Sequence, residues 1–144
     1  MRLLTKKPIA LLLIALVVTA CGEASYEYSD DAPLRLDLSE EKLTILQLTD
    51  LHLTFGIDHN DQKTFRLIDA LVEAGEPDLI VLTGDMTMAP FGPRLFKMLA
   101  NRIEGYDVPW TFVFGNHDND HASYSAYLDQ VDDYQNLLFK VGPE

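Results

Sequence analysis

Apolar positions along the chain follow two spacings in turn, and this alternation predicts strands followed by helices. Apolar residues dominate the short runs 43–48, 78–85 and the run that begins at Val108, as is typical of buried strands. The run 78–85 is rich in Leu and β-branched residues, which predicts a strand buried on both faces. After each run, apolar residues recur every three or four positions, as on one face of a helix. The three helical sets are Phe65, Ile68, Leu71 and Val72; Leu95, Phe96, Leu99 and Ile103; and Tyr124, Tyr127, Leu128, Val131 and Tyr134.

The ends of these helices are predicted from residue types that favour the first or last turn. The predicted ends are Asp61 and Ser123 as N-caps, Pro93 as a first helical residue, and Gly75 and Gly105 as C-terminal stops. An alternating stretch, Leu34–Leu38, lies ahead of the first buried strand, and the four residues 39–42 between them suit a tight turn. The chain should therefore start with a β-hairpin.

The predicted order, a hairpin strand followed by β-α-β-α-β-α, indicates an α/β fold with a mostly parallel sheet covered by helices. In sheets of this kind, ligands bind beyond the carboxyl ends of the strands. Polar groups follow the strands at that edge. Asp50 and His52 come after the first buried strand, Asp85 comes after the second, and "GNHD", 115–118, comes after the third.

Three neighbouring strands that end in these groups predict one metal site. The carboxylates of Asp50 and Asp85, the imidazole of His52 and the amide oxygen of Asn116 form a mixed oxygen and nitrogen donor set. Such a set without thiolates suits Zn, Mn or Fe. The same residues have alternative interpretations. The strand-end residues could be simple caps and turn formers, and His59 and His121 could be ligands but are more typical of exposed loops.

The order D-x-H, G-D and G-N-H-D, each after a strand, resembles the calcineurin-like metallophosphoesterases. The resemblance implies an α/β/β/α sandwich, of which 34–144 would be the N-terminal part, and two divalent or trivalent metal ions (Mn, Fe or Zn). By this resemblance, Asp50 and His52 hold the first ion, Asp85 bridges both ions, and Asn116 binds the second.

The resemblance also implies a reaction. The substrate would be a small phosphoester, a monoester or a diester, that is attacked by a metal-activated water. His117 would assist the leaving group or stabilise the transferring phosphoryl, and Asp118 would orient His117.

Members of that family carry a later isolated His and a G-H-x-H motif, neither of which follows His121 here. We therefore expect a truncated domain that is a poor enzyme by itself. The alternative is a truncated lipoprotein that binds a metal or ligand without turnover.

Composition narrows the possible partners. The 144 residues are 47% hydrophobic, which is enough for a packed core, and the formal net charge is −12. An acidic chain offers no evident nucleic-acid-binding surface, because such surfaces grip phosphates through basic patches. Phosphate substrates remain possible where bound cations supply the positive charge.

Residues 1–20 predict a lipoprotein signal peptide. Arg2, Lys6 and Lys7 precede an apolar run, Ile9–Val18, whose ten residues are fewer than the roughly twenty needed to span a bilayer. Small residues then lead to Cys21, as in the cleavage motif of bacterial lipoproteins.

That resemblance implies that Cys21 is lipidated and becomes the first mature residue. The polar and acidic segment 21–33 would then tether the domain to a membrane of the bacterial cell envelope, outside the cytoplasm. A plain signal peptide with an incidental cysteine is the alternative.

Overall fold

The computed structural model describes residues 34–36, 42–131 and 134–140. Strands and helices alternate along it, as predicted. The elements are β1 (Ile45–Leu48), α1 (His59–Gly75), β2 (Leu79–Thr83), α2 (Gly92–Glu104), β3 (Trp110–Val113) and α3 (Tyr124–Leu128). The predicted α/β class is confirmed.

The three strands form one parallel sheet in the order β1-β2-β3. Ile45 pairs with Leu79, and Ile80 pairs with Trp110, so the strands start almost level with one another. Their carboxyl ends therefore meet at one edge. A parallel bridge between Leu53 and Thr87 continues the pairing of β1 and β2 beyond both strands.

One face of the sheet is buried against the helices. Ile80, Leu82, Trp110 and Phe112 point into it and are at most 1% exposed. They share a hydrophobic core with residues from the predicted inner faces of the helices: Phe65 and Ile68 of α1, and Leu95, Phe96, Leu99 and Ile103 of α2. Val72 is partly buried against this core, but Leu71, which was predicted on the same face of α1, is 40% exposed.

The opposite face of the sheet is open among the described residues. Ile45 and Val113 are 51% and 57% exposed, and Val81 in the central strand is half-buried. The prediction that 78–85 is buried on both faces is therefore wrong for this structure. A continuous apolar run does not reveal that the described helices bury only alternate residues.

Helix α1 begins earlier than predicted. Its N-cap is Asp58, whose side chain accepts hydrogen bonds from the backbone N–H groups of Asn60 and Asp61. Asp61, the predicted cap, lies in the first turn. At the other end, Gly75, the predicted stop, is the last helical residue, and Glu76 after it adopts the left-handed backbone (φ 40°) that commonly ends a helix. Both predicted ends of α1 therefore differ from the observed ends by less than one helical turn.

The other helix ends lie close to their predicted positions. Gly105 ends α2, and Pro93 is its second residue, after Gly92. Ser123 caps α3 as predicted, but this helix ends at Leu128, so the predicted face that reaches Tyr134 is not one continuous helix.

Several predictions concern segments that lie outside the described residues. These are the signal peptide 1–20, Cys21 and the tether 21–33, and most of the turn of the predicted hairpin. Residues 34–36, from its first strand, are described and do not form a strand. No helix among the described residues combines the length and apolar character needed to cross a membrane.

Candidate metal centre

The carboxyl ends of β1 and β2 bring Asp50, His52 and Asp85 together. The Nε2 atom of His52 lies 3.7 Å from Oδ1 of Asp50 and 3.7 Å from Oδ2 of Asp85. One ligand atom from each residue lies within 4.8 Å of the other two. Three of the four predicted metal ligands therefore converge on one point.

Backbone hydrogen bonds hold the two loops that carry these residues side by side. The N–H of Asp50 donates to the carbonyl of Gly84 (3.1 Å), and the N–H of His52 donates to the carbonyl of Asp85 (3.0 Å). The N–H of Leu53 then donates to the carbonyl of Met86 (3.0 Å). The relative positions of the three ligands are thus set by backbone pairing.

All three ligands have a left-handed backbone. The φ angles are 53° at Asp50, 45° at His52 and 52° at Asp85, and only two other non-glycine residues in the described chain, Glu76 and Asp107, have positive φ. A side chain with a Cβ atom raises the energy of this conformation by roughly 1–2 kcal/mol. Strain of this kind clusters at functional sites, where the surrounding structure enforces it.

The loop after β3 packs directly on the loop after β2. A Cβ atom on Gly115 would collide with Oδ1 of Asp85, and one on Gly84 would lie 2.7 Å from Cα of Gly115. This close approach explains glycine at both positions. It also lets the N–H of His117 donate to Oδ1 of Asp85 (2.9 Å), which leaves Oδ2 facing His52.

Asp118 has a different role from the one predicted. Its carboxylate is 1% exposed and accepts three backbone hydrogen bonds. Oδ1 accepts from the N–H groups of Met86 (2.9 Å) and Thr87 (3.0 Å), and Oδ2 accepts from that of Gly115 (2.9 Å). Asp118 therefore joins the loops after β2 and β3.

The contact predicted between His117 and Asp118 is made by Asp120 instead. Nδ1 of His117 lies 2.7 Å from Oδ2 of Asp120. This hydrogen bond is the main reason that the pKa of His117 is raised, and the charges of Asp85 and Asp118 add to it. Asp120 was not among the predicted site residues, although a carboxylate three residues after a histidine in a turn was a usable signal.

The remaining candidates, Asn116, His59 and His121, are all exposed. Asn116 is exposed in the turn after β3, next to His117, whose ring centroid lies 5.9 Å from that of His52. His121 is exposed in a loop, as predicted. His59 is exposed, but it is the first residue of α1 and not a loop residue.

The residues present fit a metal ion. Nε2 of His52 is buried and has no hydrogen-bond partner among the described residues. An unpaired buried nitrogen is costly, and a cation between it and the two carboxylates would satisfy all three groups. Carboxylate and imidazole ligands suit Zn, Mn or Fe.

The chain is similar to several known proteins. The family model for calcineurin-like phosphoesterases matches residues 43–142. The phosphatase DCR2 of Saccharomyces cerevisiae is 33% identical over 133 residues, which cover 79% of this chain and 23% of DCR2.

Two further relatives have contrasting names. The 3′,5′-cyclic adenosine monophosphate phosphodiesterase CpdA of Escherichia coli is 35% identical over 98 residues, 62% of this chain and 35% of CpdA. The Arabidopsis thaliana protein named Probable inactive purple acid phosphatase 28 is 30% identical over 109 residues, 64% of this chain and 27% of the relative. The chain thus spans about a quarter to a third of the length of these relatives.

The left-handed backbone of His52 can be tested by a pair of substitutions. His52→Ala and His52→Gly both remove the imidazole, but only glycine relieves the strain. In protein treated with a chelator, we expect His52→Gly to be more stable than His52→Ala by about 1 kcal/mol. The measurement is urea denaturation of both variants.

The control pair is Arg66→Ala and Arg66→Gly, at an exposed position inside α1. There the order should reverse, with alanine more stable by about 1 kcal/mol. Equal stability of the two His52 variants would show that the backbone of His52 is not strained.

Proposed function

The chain belongs to the calcineurin-like phosphoesterase family, and we propose that it provides part of the active site of a metal-dependent phosphohydrolase. The observation that carries this proposal is the buried Nε2 of His52, which has no hydrogen-bond partner among the described residues and lies 3.7 Å from a carboxylate oxygen of each of Asp50 and Asp85. The proposed substrate is a small phosphate monoester or diester. Relatives named as a phosphatase and as a cyclic nucleotide phosphodiesterase support this class.

Asp50, His52 and Asp85 would hold one metal ion, and Asp85 with Asn116 would contribute to a second. Manganese, iron and zinc all suit these donors. Bound ions would supply Lewis-acid polarisation of the phosphoryl oxygens and activation of the attacking water. The backbone N–H of His117 restrains Asp85 through Oδ1, so that Oδ2 stays turned towards His52.

His117 is the proposed proton donor to the leaving group. Its backbone is fixed on Asp85, and its side chain is held at Nδ1 by Asp120. The nitrogen on the opposite side of the ring, Nε2, can then face a substrate bound beside His52. As the bond from phosphorus to the leaving oxygen breaks, that oxygen would take the proton from Nε2.

A second candidate function is metal or ligand binding without turnover. Two relatives carry the word inactive in their names, which favours this alternative for some members of the family. Turnover of a phosphoester separates the two candidates.

Two substitutions separate metal binding from proton donation. Asp85→Ala should lose both bound metal and turnover, because Asp85 is a proposed ligand. His117→Ala should keep most of its metal and lose about 10²–10⁴-fold in turnover, the usual contribution of a positioned general acid. The loss should shrink for an aryl phosphate whose leaving group needs little protonation.

The measurements are made on the complete protein. They are its metal content and its turnover on two aryl phosphates that differ in leaving-group pKa. His121→Ala is the control, since His121 is exposed in a nearby loop and has no proposed role. Loss of metal from His117→Ala, or unchanged turnover, would contradict the assigned role.

We also propose that Cys21 carries a lipid that anchors the protein to a membrane of the bacterial envelope, with the domain outside the cytoplasm. The support is the sequence 1–21 alone. Cells fed a labelled fatty acid should label the protein, and Cys21→Ser should abolish the label. His117→Ala, which leaves 1–21 intact, should keep it. Labelling of Cys21→Ser would refute the anchor.

A further inference from the structure

Asp61 is a buried carboxylate with an unusual set of partners. It is 3% exposed, and its Oδ2 atom alone accepts three backbone hydrogen bonds. The donors are the N–H groups of Thr54 (3.0 Å), Phe55 (2.8 Å) and Gly56 (2.5 Å). Three successive N–H groups that converge on one oxygen form a concave anion site of the kind that turns create for phosphates. Here the anion is a side chain of the protein itself.

The three donors belong to the segment that directly follows His52 and Leu53. The next residue of α1, Gln62, holds the same segment from the other side, because its Nε2 donates to the carbonyl of Gly56 (2.7 Å). Gly56 has a left-handed backbone (φ 77°). The first turn of α1 therefore binds segment 54–56 in two ways. Asp61 accepts hydrogen bonds from its N–H groups, and Gln62 donates a hydrogen bond to the carbonyl of Gly56.

Leu53 is fixed on its other side by the loop after β2. Its N–H donates to Met86, and its carbonyl accepts from Met88 (2.9 Å). His52 is therefore placed by two restraints: pairing with the β2 loop, and the attachment of the following segment to Asp61. Its left-handed backbone cannot relax unless one of these restraints gives way.

We propose that Asp61 is a positioning residue of the metal centre. It acts through the segment 54–56, which it holds on α1 so that His52 keeps its backbone conformation and its imidazole faces Asp50 and Asp85. This inference rests on the proposed function in so far as the centre binds a metal. It does not depend on which phosphoester is hydrolysed, or on whether one is.

The test is calorimetric titration of the metal-free protein with Mn²⁺. Removing a group that supports a metal ligand typically weakens metal affinity by about 10–100-fold, and we expect a loss in this range for Asp61→Ala. Asp61→Asn retains one carbonyl oxygen of similar position, so it should recover part of the affinity. This rescue by the conservative variant is a readout that general destabilisation would not produce.

Asp69 provides a matched control on the same helix. Its carboxylate accepts from Arg102 (2.9 Å to Nε) and from Tyr106 (2.6 Å), and these hydrogen bonds, that of Arg102 first, lower its pKa. Like Asp61→Ala, Asp69→Ala removes one negative charge and one hydrogen-bonded carboxylate from α1. Unlike Asp61→Ala, it leaves the contacts of segment 54–56 intact. It should lower stability and leave the Mn²⁺ affinity within about twofold of the wild-type value, because distant surface charges are largely screened.

Gln62→Ala keeps the inference testable if Asp61→Ala does not fold. It removes the second attachment of the same segment and should weaken Mn²⁺ binding by a smaller factor. Wild-type affinity in Asp61→Ala, or in Gln62→Ala where Asp61→Ala does not fold, would overturn the positioning role. An equal loss of affinity in Asp69→Ala would overturn it as well. Mn²⁺ binding by the complete protein without hydrolysis of phosphate monoesters or diesters would refute the proposed function and leave the role of Asp61 standing.

Discussion

Backbone hydrogen bonds that continue past the ends of β1 and β2 are the interaction on which the rest of the site depends. They join the loop 50–53 to the loop 84–86 and hold Asp50, His52 and Asp85 in left-handed conformations. Each of these conformations raises the energy of the chain, so none would persist in an isolated loop. The parallel sheet supplies the register, and the register brings both carboxylates to within 3.7 Å of one imidazole nitrogen.

Buried carboxylates support this arrangement from both sides. Asp61 accepts three N–H groups from the segment after His52, and Asp118 accepts three from the loops that carry Asp85 and His117. A loop that is not paired in a sheet has free N–H groups, and a buried carboxylate can satisfy several at once. Acidic residues here therefore serve two purposes. Exposed or half-exposed ones can hold cations, and buried ones fix the backbone that presents them.

Much of the fold follows from the spacing of apolar residues. Four apolar positions of α2 identify its inner face, and the short apolar runs give the strands and hence the edge where the candidate ligands meet. The caps were harder to predict. Asp58 and Asp61 are both good N-cap residues three positions apart, and only the path of the loop decides which one caps α1 and which one turns back to bind 54–56.

The roles of Asp118 and Asp120 depend on the same kind of detail. The motif "GNHD" suggests a partner for His117, but the turn after β3 points Asp118 into the protein and leaves Asp120 beside the imidazole. Burial of only one face of the sheet could not be predicted either, because a continuous apolar run occurs in strands with one covered face and in strands with two. Sequence patterns thus predicted where the candidate site lies. The geometry of the loops determines which acidic residue binds backbone N–H groups and which one contacts His117.

The most direct test of the metal centre is a crystal of the protein soaked with Zn²⁺ and measured at the zinc absorption edge. The anomalous signal should show an ion about 2.0–2.2 Å from Nε2 of His52 and from a carboxylate oxygen of each of Asp50 and Asp85. Zinc bound only elsewhere, with Nε2 of His52 hydrogen-bonded to water or protein, would contradict the centre described here.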